Sequence, residues 1–312
     1  MGDTRLRVAV VGVGHLGKHH ARLLAQMPGV ELVAVADIDA GRAAEIAAAH
    51  ATTGVIGWQA LPSDLDAVTI AVPTEVHLPV ALGLIERGMH VLVEKPLARS
   101  VAEADTLIAA AAGRVQLAVG HTERFNPAVT AARAHLRHPR FIEAHRLGTF
   151  PERSLDIDVV FDLMIHDLDL LLSIVGEPVV SVEAVGVPVL TPRIDIANVR
   201  LRFAGGCIAN LTASRISRDR VRKIRFFQPQ SYLSIDYAAQ EVEHWTLGPG
   251  PAGTPAITGG KLDVPREEPL KRELEDFVAA VRDRRPPMVT GEAGRAALAL
   301  AAEIVECMDH VR

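Results

Sequence analysis

Asp162, His166 and Asp169 recur at i, i+4 and i+7 inside a mainly apolar stretch, D-I-D-V-V-F-D-L-M-I-H-D-L-D-L-L-L-S-I-V-G, running from Asp156 to Gly176. Its apolar residues point almost everywhere around a helix, so it reads as a helix buried on most sides. Helical spacing puts the three polar residues on one face. Burying unpaired charge is costly, so such a stripe lines a cavity, holds a metal or does proton chemistry. The structural alternative is that Asp156 and Asp158 cap the helix and His166 is a satisfied core histidine.

A second constellation stands at the N-terminus. Gly12-Val13-Gly14-His15-Leu16-Gly17 follows a β-branched run, Arg7–Val11, and precedes a helix pattern reaching about Met27. Glu31–Ala36 is a second strand, and Asp37 follows the third glycine by 20 residues. Strand, G-x-G-x-x-G, helix and distal acid together form the dinucleotide fingerprint in its required context. The glycines permit the tight turn and close approach of a pyrophosphate, and the helix N-terminus offers free N–H groups and a positive dipole end. Asp37 should accept from the ribose hydroxyls and repel a 2′-phosphate, which selects NAD over NADP. Arg42 is expected on the exposed face of the next helix. His15 and Leu16, inside the turn, count among the cofactor contacts. The imidazoles of His15, His19 and His20 are expected to cover a helix surface.

The α/β alternation continues through strands at Ala67–Val72, His90–Glu94 and Gln116–Gly120, with helices at Leu78–Arg87 and Val101–Ala112. Ligands of open parallel sheets bind at the carboxyl ends of strands. The loops there carry P-T-E-V-H, E-K-P and H-T-E-R-F-N-P. Pro73, Thr74, His77, Glu94 and Lys95 are therefore further cofactor candidates. A lysine beside a nicotinamide cation has its ammonium form disfavoured, so Lys95 is a candidate base. Lys95–Pro96 is a candidate cis bond.

From Phe141 the texture changes. Beyond the Asp156–Gly176 helix, alternating runs follow at Val179–Val187, Ile196–Phe203, Cys207–Ile216, Lys223–Gln228, Tyr232–Asp236 and Val242–Leu247, with Gly205-Gly206 as a hairpin turn. Strands without intervening helices imply an antiparallel sheet. Gly248–Gly260 reads as an exposed, mobile Pro/Gly loop. Glu267–Arg284 is an amphipathic helix ended by Pro286-Pro287, and Gly291–Met308 is an Ala- and Leu-rich helix. The expected class is α/β: a Rossmann domain with a parallel sheet over 1–120, an α+β domain with an open, mainly antiparallel sheet over 121–290, and a C-terminal helix over 291–312 that packs back near the first domain.

Composition agrees with this outline. The 312 residues are 49% hydrophobic and 23% charged, which suits about two globular domains. A net charge of −5 gives no electrostatic reason for nucleic acid or an acidic membrane as partner. No apolar run reaches the ~18 residues of a membrane span. The N-terminus enters a strand without a secretory apolar region. Cys207 and Cys307 form no C-x-x-C pair, as expected of thiols in a reducing cytoplasm.

The G-V-G-H-L-G turn, E-K-P, G-H-T-E-R-F-N-P and D-x-x-x-H, in this order across essentially the whole chain, resemble the glucose-fructose oxidoreductase / inositol dehydrogenase / rhizopine catabolism (Gfo/Idh/MocA) family. The resemblance implies NAD(P)-dependent oxidoreduction of sugars or cyclitols. It also implies a homodimer or homotetramer built on the open sheet. Carried over, Lys95 is the catalytic lysine, Asp162 and His166 are the D-x-x-x-H pair, and Glu94 contacts the nicotinamide ribose. His121 stands where many members have Asn, so the roles of His121 and Glu123 stay open. The phrases R-F-I-E-A-H-R-L-G, N-L-T-A-S-R and K-I-R-F-F-Q-P resemble members acting in bacterial lipid A biosynthesis. That narrower likeness implies oxidation of the C3 hydroxyl of UDP-N-acetylglucosamine.

A UDP-sugar diphosphate needs cationic donors. Arg124 and Arg215 are the substrate-binding candidates, with Arg222 and Lys223 equally readable as solvated strand charges. Asn126 joins Lys95, Asp162 and His166 as a possible substrate contact, and Arg146 is a further one. Two other functions are compatible with the same residues: a metal site on Asp162, His166 and Asp169 lacking a further ligand, and a non-catalytic dinucleotide sensor. No metal is expected, because the dinucleotide fingerprint accounts for the residues without one.

Overall fold

The computed structural model describes residues 5–150, 157–250 and 254–309. Asp156, a cap in the alternative reading of its helix, lies outside the described residues. Two compact units are present: residues up to His121 with Leu270–Arg295, and Thr122–Pro269 with the chain from Ala296 onward.

The first unit is a doubly wound α/β layer. Strands β1 (Leu6–Val11), β2 (Val30–Asp37), β3 (Thr53–Ile56), β4 (Ala67–Ile70), β5 (His90–Glu94) and β6 (Leu117–Gly120) form one parallel sheet in the order β3-β2-β1-β4-β5-β6. Helices α1 (Gly17–Gln26), α2 (Ala40–Ala49), α3 (His77–Glu86) and α4 (Val101–Ala111) provide the crossovers. Strand order reverses between β1 and β4, the switch point at which such sheets open a crevice. Val8, Val10, Val35 and Leu92 are buried, as strands covered on both faces must be. Edge strand β3 has no counterpart in the sequence reading, because its four residues T-G-V-I are exposed or half-exposed and too few to show a period.

Helix α7 (Pro269–Asp283) belongs to this unit, whereas the sequence places 121–290 in the second domain. Its apolar stripe explains the difference: Leu274, Phe277, Val278 and Val281 pack with Val8, Leu24 and Val35. Residues beyond it add an edge contact, the Val119 N–H donating to the Val289 carbonyl at 3.1 Å.

The second unit is built on an eight-stranded sheet. Its strands are β7 (Phe141–Leu147), β8 (Val179–Val187), β9 (Ile196–Phe203), β10 (Ile208–Ser214), β11 (Val221–Gln228), β12 (Ser231–Asp236), β13 (Glu241–Pro249) and β14 (Pro255–Lys261). They run in the order β14-β13-β12-β11-β7-β10-β9-β8. Every pairing is antiparallel except β7 with β10. That parallel pair is non-local: a helix intervenes in sequence, which permits the crossover a parallel neighbour needs. Along β9, Ala197, Val199, Leu201 and Phe203 are buried while Asn198, Arg200 and Arg202 are exposed. The buried face packs with apolar residues of α5 (Pro127–Arg133), α6 (Ile165–Val175) and the later turns of α8 (Gly291–Asp309). The other face is mixed, with Asn198, Arg200 and Arg202 exposed on β9 beside Val185 of β8, and with Phe227, Tyr232 and Trp245 in a row across β11, β12 and β13. Gly205-Gly206 makes the expected hairpin turn between β9 and β10, with Gly206 at φ +86°.

Gly248–Gly260, expected as an exposed mobile loop, is mostly strand. Its two ends belong to β13 and β14, which pair across it. The glycines serve the ladder: Gly259 lies opposite Trp245, where a Cβ would collide with the His244 carbonyl, and φ +143° at Gly259 is a backbone that favours glycine. Composition alone reads such glycines as punctuation.

Candidate active site

The carboxyl edge of the first sheet carries the dinucleotide cradle. A Cβ at Gly12 would lie 2.7 Å from the Ala71 carbonyl oxygen, and one at Gly17 would collide with the Gly12 carbonyl, so both close approaches demand glycine. At Gly14 a Cβ would meet only the Arg42 guanidinium, at 3.5 Å. The surface over Gly14 is therefore open, and α1 begins immediately beyond it with His15 and Leu16 exposed at the turn. This arrangement fits a pyrophosphate on a helix N-terminus.

Asp37, at the end of β2, is buried and oriented by two backbone donors. Val13 N–H reaches Oδ2 at 2.9 Å and Asp39 N–H reaches Oδ1 at 3.0 Å. Each oxygen keeps a second lone pair for a ribose hydroxyl. Arg42 is not confined to an outer helix face: its Nη1 lies 3.5 Å from Asp37 Oδ2, and Nη2 lies 3.5 Å from Asp39. Asp37→Ala would leave this guanidinium with Asp39 as its remaining carboxylate partner beside the ribose site. The expected result is weaker use of NAD and a shift of the kcat/KM ratio toward NADP by about tenfold, the scale of one charge-assisted contact. Unchanged kinetics with both cofactors would refute the assignment.

Glu94, Lys95 and Pro96 follow from β5, and the Lys95–Pro96 bond is cis. Glu94 is buried, with Oε1 accepting from His20 Nε2 at 3.0 Å and Oε2 accepting from the Lys95 N–H at 3.3 Å. Burial alone would push this carboxyl up. The His20 hydrogen bond and the neighbouring positive charge outweigh burial and hold it below the usual range. His20, expected to cover a helix surface, is instead fully enclosed on the buried face of α1. His77, expected to touch cofactor, is also buried and bridges two backbone carbonyls, Val72 and Pro96, each 3.0 Å from a ring nitrogen. Burial holds its imidazole below the ordinary range, against the pull of those carbonyls. Its role is to brace the E-K-P turn. Pro73 is exposed and Thr74 half-buried beside that brace.

In the second unit the stretch around His166 holds a local surprise. Val160–Met164 is a turn of π-helix that precedes α6, and Gly176 closes the helix in the left-handed conformation at φ +67°. Asp158 accepts from the Ile194 N–H at 2.8 Å instead of acting only within its own turn. π-Turns inside helices concentrate at functional positions, and this one contains Asp162. The inserted residue breaks the even stripe assumed from 3.6-residue spacing. Asp169 is buried and bound in a fork by Arg124, at 2.6 and 2.9 Å. Asp167 is bound likewise by Arg146, at 2.8 and 2.9 Å. Asp162 and His166, by contrast, are half-buried. Among the described residues no three His, Cys, Asp or Glu side chains converge as a metal site would require.

Several substrate candidates are spent on structure. Arg215 is buried, with Nε 2.8 Å from Asp195 and Nη1 donating to the Ile157 carbonyl at 2.7 Å. Asn126 caps α5 by accepting from the Ala128 N–H at 3.1 Å, and its amide donates to the Tyr237 carbonyl at 3.1 Å. Arg146 also reaches Glu123 at 3.0 Å and lies over the Tyr237 ring, 5.1 Å from its centroid. Glu123 is thus a partner of a buried arginine. His121 is buried at the end of the first unit. Lys223 pairs with Asp236 at 3.3 Å. Arg222 is the cross-strand neighbour of Arg146 and is exposed. Asp167 and Asp195 are residues that sequence missed and His20 is one that it misplaced, and the signal for each was a polar residue at a position whose neighbours are core.

Residues 6–121 match the model of an oxidoreductase family with an NAD-binding Rossmann fold, and residues 111–228 match the GFO/IDH/MocA C-terminal domain. The chain belongs to the GFO/IDH/MocA oxidoreductase family. It is 40% identical over 302 residues to UDP-N-acetylglucosamine 3-dehydrogenase of Acidithiobacillus ferrooxidans, covering 96% of each chain. A solved structure of that relative superposes with TM-score 0.92 at 39% identity over 98% of both chains. The scyllo-inositol 2-dehydrogenase (NAD(+)) of Bacillus subtilis is 30% identical, covering 92% of this chain and 90% of its own. Levoglucosan dehydrogenase in complex with NADH shares the fold at TM-score 0.87 and 20% identity. The GFO/IDH/MocA chain described here is accordingly an NAD-dependent oxidoreductase, with Gly12, Gly14, Gly17 and Asp37 fitted to hold the dinucleotide. No helix among its described residues is long and apolar enough to cross a membrane.

Proposed function

We propose that this oxidoreductase converts UDP-N-acetylglucosamine to its 3-keto sugar in the cytoplasm, ahead of transamination in lipid A biosynthesis. The observation that carries the reading is identity of 40% across 96% of both chains with a UDP-N-acetylglucosamine 3-dehydrogenase. NAD, held by Gly12, Gly14, Gly17 and Asp37, would supply the hydride acceptor for the carbinol carbon. The hydroxyl proton needs a base within hydrogen-bond reach, because an alcohol does not ionise near neutral pH. Lys95 and His166 fill the base and relay roles, and Asp162 orients the imidazole and supports its cationic form. Arg222 is the cation for the diphosphate: it shares a sheet face with Arg146 and, unlike Arg215, is exposed. Glycine turn, lysine loop and D-x-x-x-H helix are all present, as a catalyst requires and a sensor does not.

The open sheet face, where Val185 and Trp245 are exposed and Phe227 and Tyr232 only partly covered, supports a homodimer or homotetramer. A free cyclitol is the competing substrate class, favoured by the inositol dehydrogenase relative. Incubation with NAD and UDP-N-acetylglucosamine, with an aminotransferase and glutamate to draw off the ketone, should give NADH and a 3-amino UDP-sugar by mass spectrometry. Turnover of free inositol alone would reject the UDP-sugar reading. Native mass spectrometry of the same preparation should show at least two chains, and a one-chain mass would reject the oligomer.

A further inference from the structure

We propose that His20 is the positioning residue for Lys95, acting through Glu94 to tie the lysine's loop to the helix that carries the glycine cradle. This rests on Lys95 being the proton-transfer group proposed above. His20 lies on the buried face of α1 with Ala21 and Leu24, where helical periodicity calls for an apolar side chain. Its ring has no exposed surface, and Nδ1 has no hydrogen-bond partner. An imidazole so placed carries a desolvation cost, and the one bond it makes is to Glu94.

A carboxylate only accepts, so the proton sits on Nε2 and is donated to Glu94 Oε1. The other oxygen, Oε2, takes the main-chain N–H of Lys95. Gly120 supplies the remaining space: a Cβ there would stand 2.9 Å from Glu94 Oε2. Glu94 is thereby fixed from three sides, and it fixes the backbone at the residue that carries the reacting amine. His77 anchors the far side of the same turn through the Pro96 carbonyl. His20 adds what His77 cannot, because it stands one turn inside the helix whose first residues hold the pyrophosphate cradle. Cofactor anchor and lysine loop then share one rigid reference. A displacement of about 1 Å at such a loop is enough to cost about 10²-fold in rate.

The test compares His20→Leu, His20→Gln and His20→Asn with Lys95→Met in the intact enzyme. A glutamine amide can reach the place of Nε2, whereas an asparagine amide stops near Nδ1. His20→Leu is expected to lose about 10²-fold in kcat, with the NAD KM and the NADH affinity from fluorescence titration changed less than about threefold. His20→Gln should recover kcat to within about fivefold of the parent, and His20→Asn should not. If the leucine variant does not fold, the Gln–Asn contrast alone carries the decision, with melting temperatures as control. A kcat for His20→Leu near the parent value overturns the proposal, as does equal loss in the Gln and Asn variants. Near-normal turnover by Lys95→Met would instead defeat the assignment of Lys95, whatever the His20 variants do.

Discussion

Lys95→Met is expected to abolish turnover, cutting kcat by about 10³-fold or more, while NADH binds within about threefold of the parent affinity. General acid–base groups contribute about 10²–10⁴-fold, and loss of a proposed proton-transfer residue belongs at the upper end. Methionine keeps the length and apolar stem of the side chain but has no group that titrates. The cradle should be indifferent to the change, because its parts come from other strand ends: Gly12 and Gly14 after β1, and Asp37 at the end of β2. The Glu94 bonds to His20 and to the residue-95 main chain are also untouched. Initial rates of NADH formation and a fluorescence titration measure the two quantities separately. Near-normal kcat would remove Lys95 from the chemistry, and lost NADH binding would make it a cofactor contact.

Asp195→Asn should leave the second unit less stable by about 3–5 kcal/mol, the cost of breaking a buried ion pair from one side. Asp195 has no exposed surface and is held by five donors. Oδ2 accepts from the N–H groups of Val189, Leu190 and Thr191 at 2.6–2.8 Å, and Oδ1 accepts from Arg215 and the Thr191 hydroxyl at 2.8 Å. Burial would raise this carboxyl. The backbone donors and the Arg215 guanidinium prevail and hold it far below the ordinary carboxylate range. A carboxyl depressed on folding stabilises fully above its unfolded value near pH 4 and stops doing so as pH falls through the folded one. The parent should therefore lose stability below about pH 4, and the asparagine variant should show a shallower acid limb. Thermal unfolding should fall by roughly 10 °C at neutral pH. A melting temperature within about 2 °C of the parent would return Arg215 to the pool of substrate-binding cations.

These two residues mark the boundary of what was legible in the chain. Lys95 could be located from sequence, because a parallel sheet fixes which loops face its ligand, and E-K-P ends a strand at that edge. Arg215 could not be judged: N-L-T-A-S-R shows an arginine ending a buried strand but not the aspartate that meets it. The same holds on α6. A period of 3.6 places Asp162, His166 and Asp169 on one face, yet Arg124 takes Asp169 into a fork and Arg146 takes Asp167, which that stripe leaves out. Those arginines are far away in sequence, and nothing local encodes the pairing. The π-turn is equally silent, since its residues, V-F-D-L-M, would suit an α-helix.

The sequence by itself determined the dinucleotide cradle, the strand-end position of Lys95, the helix bearing Asp162 and His166, and the two-sheet class. Glycine, periodicity and alternation act over neighbouring residues, so each of these is written within about twenty positions. Only the tertiary structure decided which polar residues are available for chemistry. Folding buries His20 against Glu94, Arg146 against Asp167 and Arg215 against Asp195. A charged group enters the interior only when a partner from a distant segment meets it there, and that meeting follows from packing, not from local spacing.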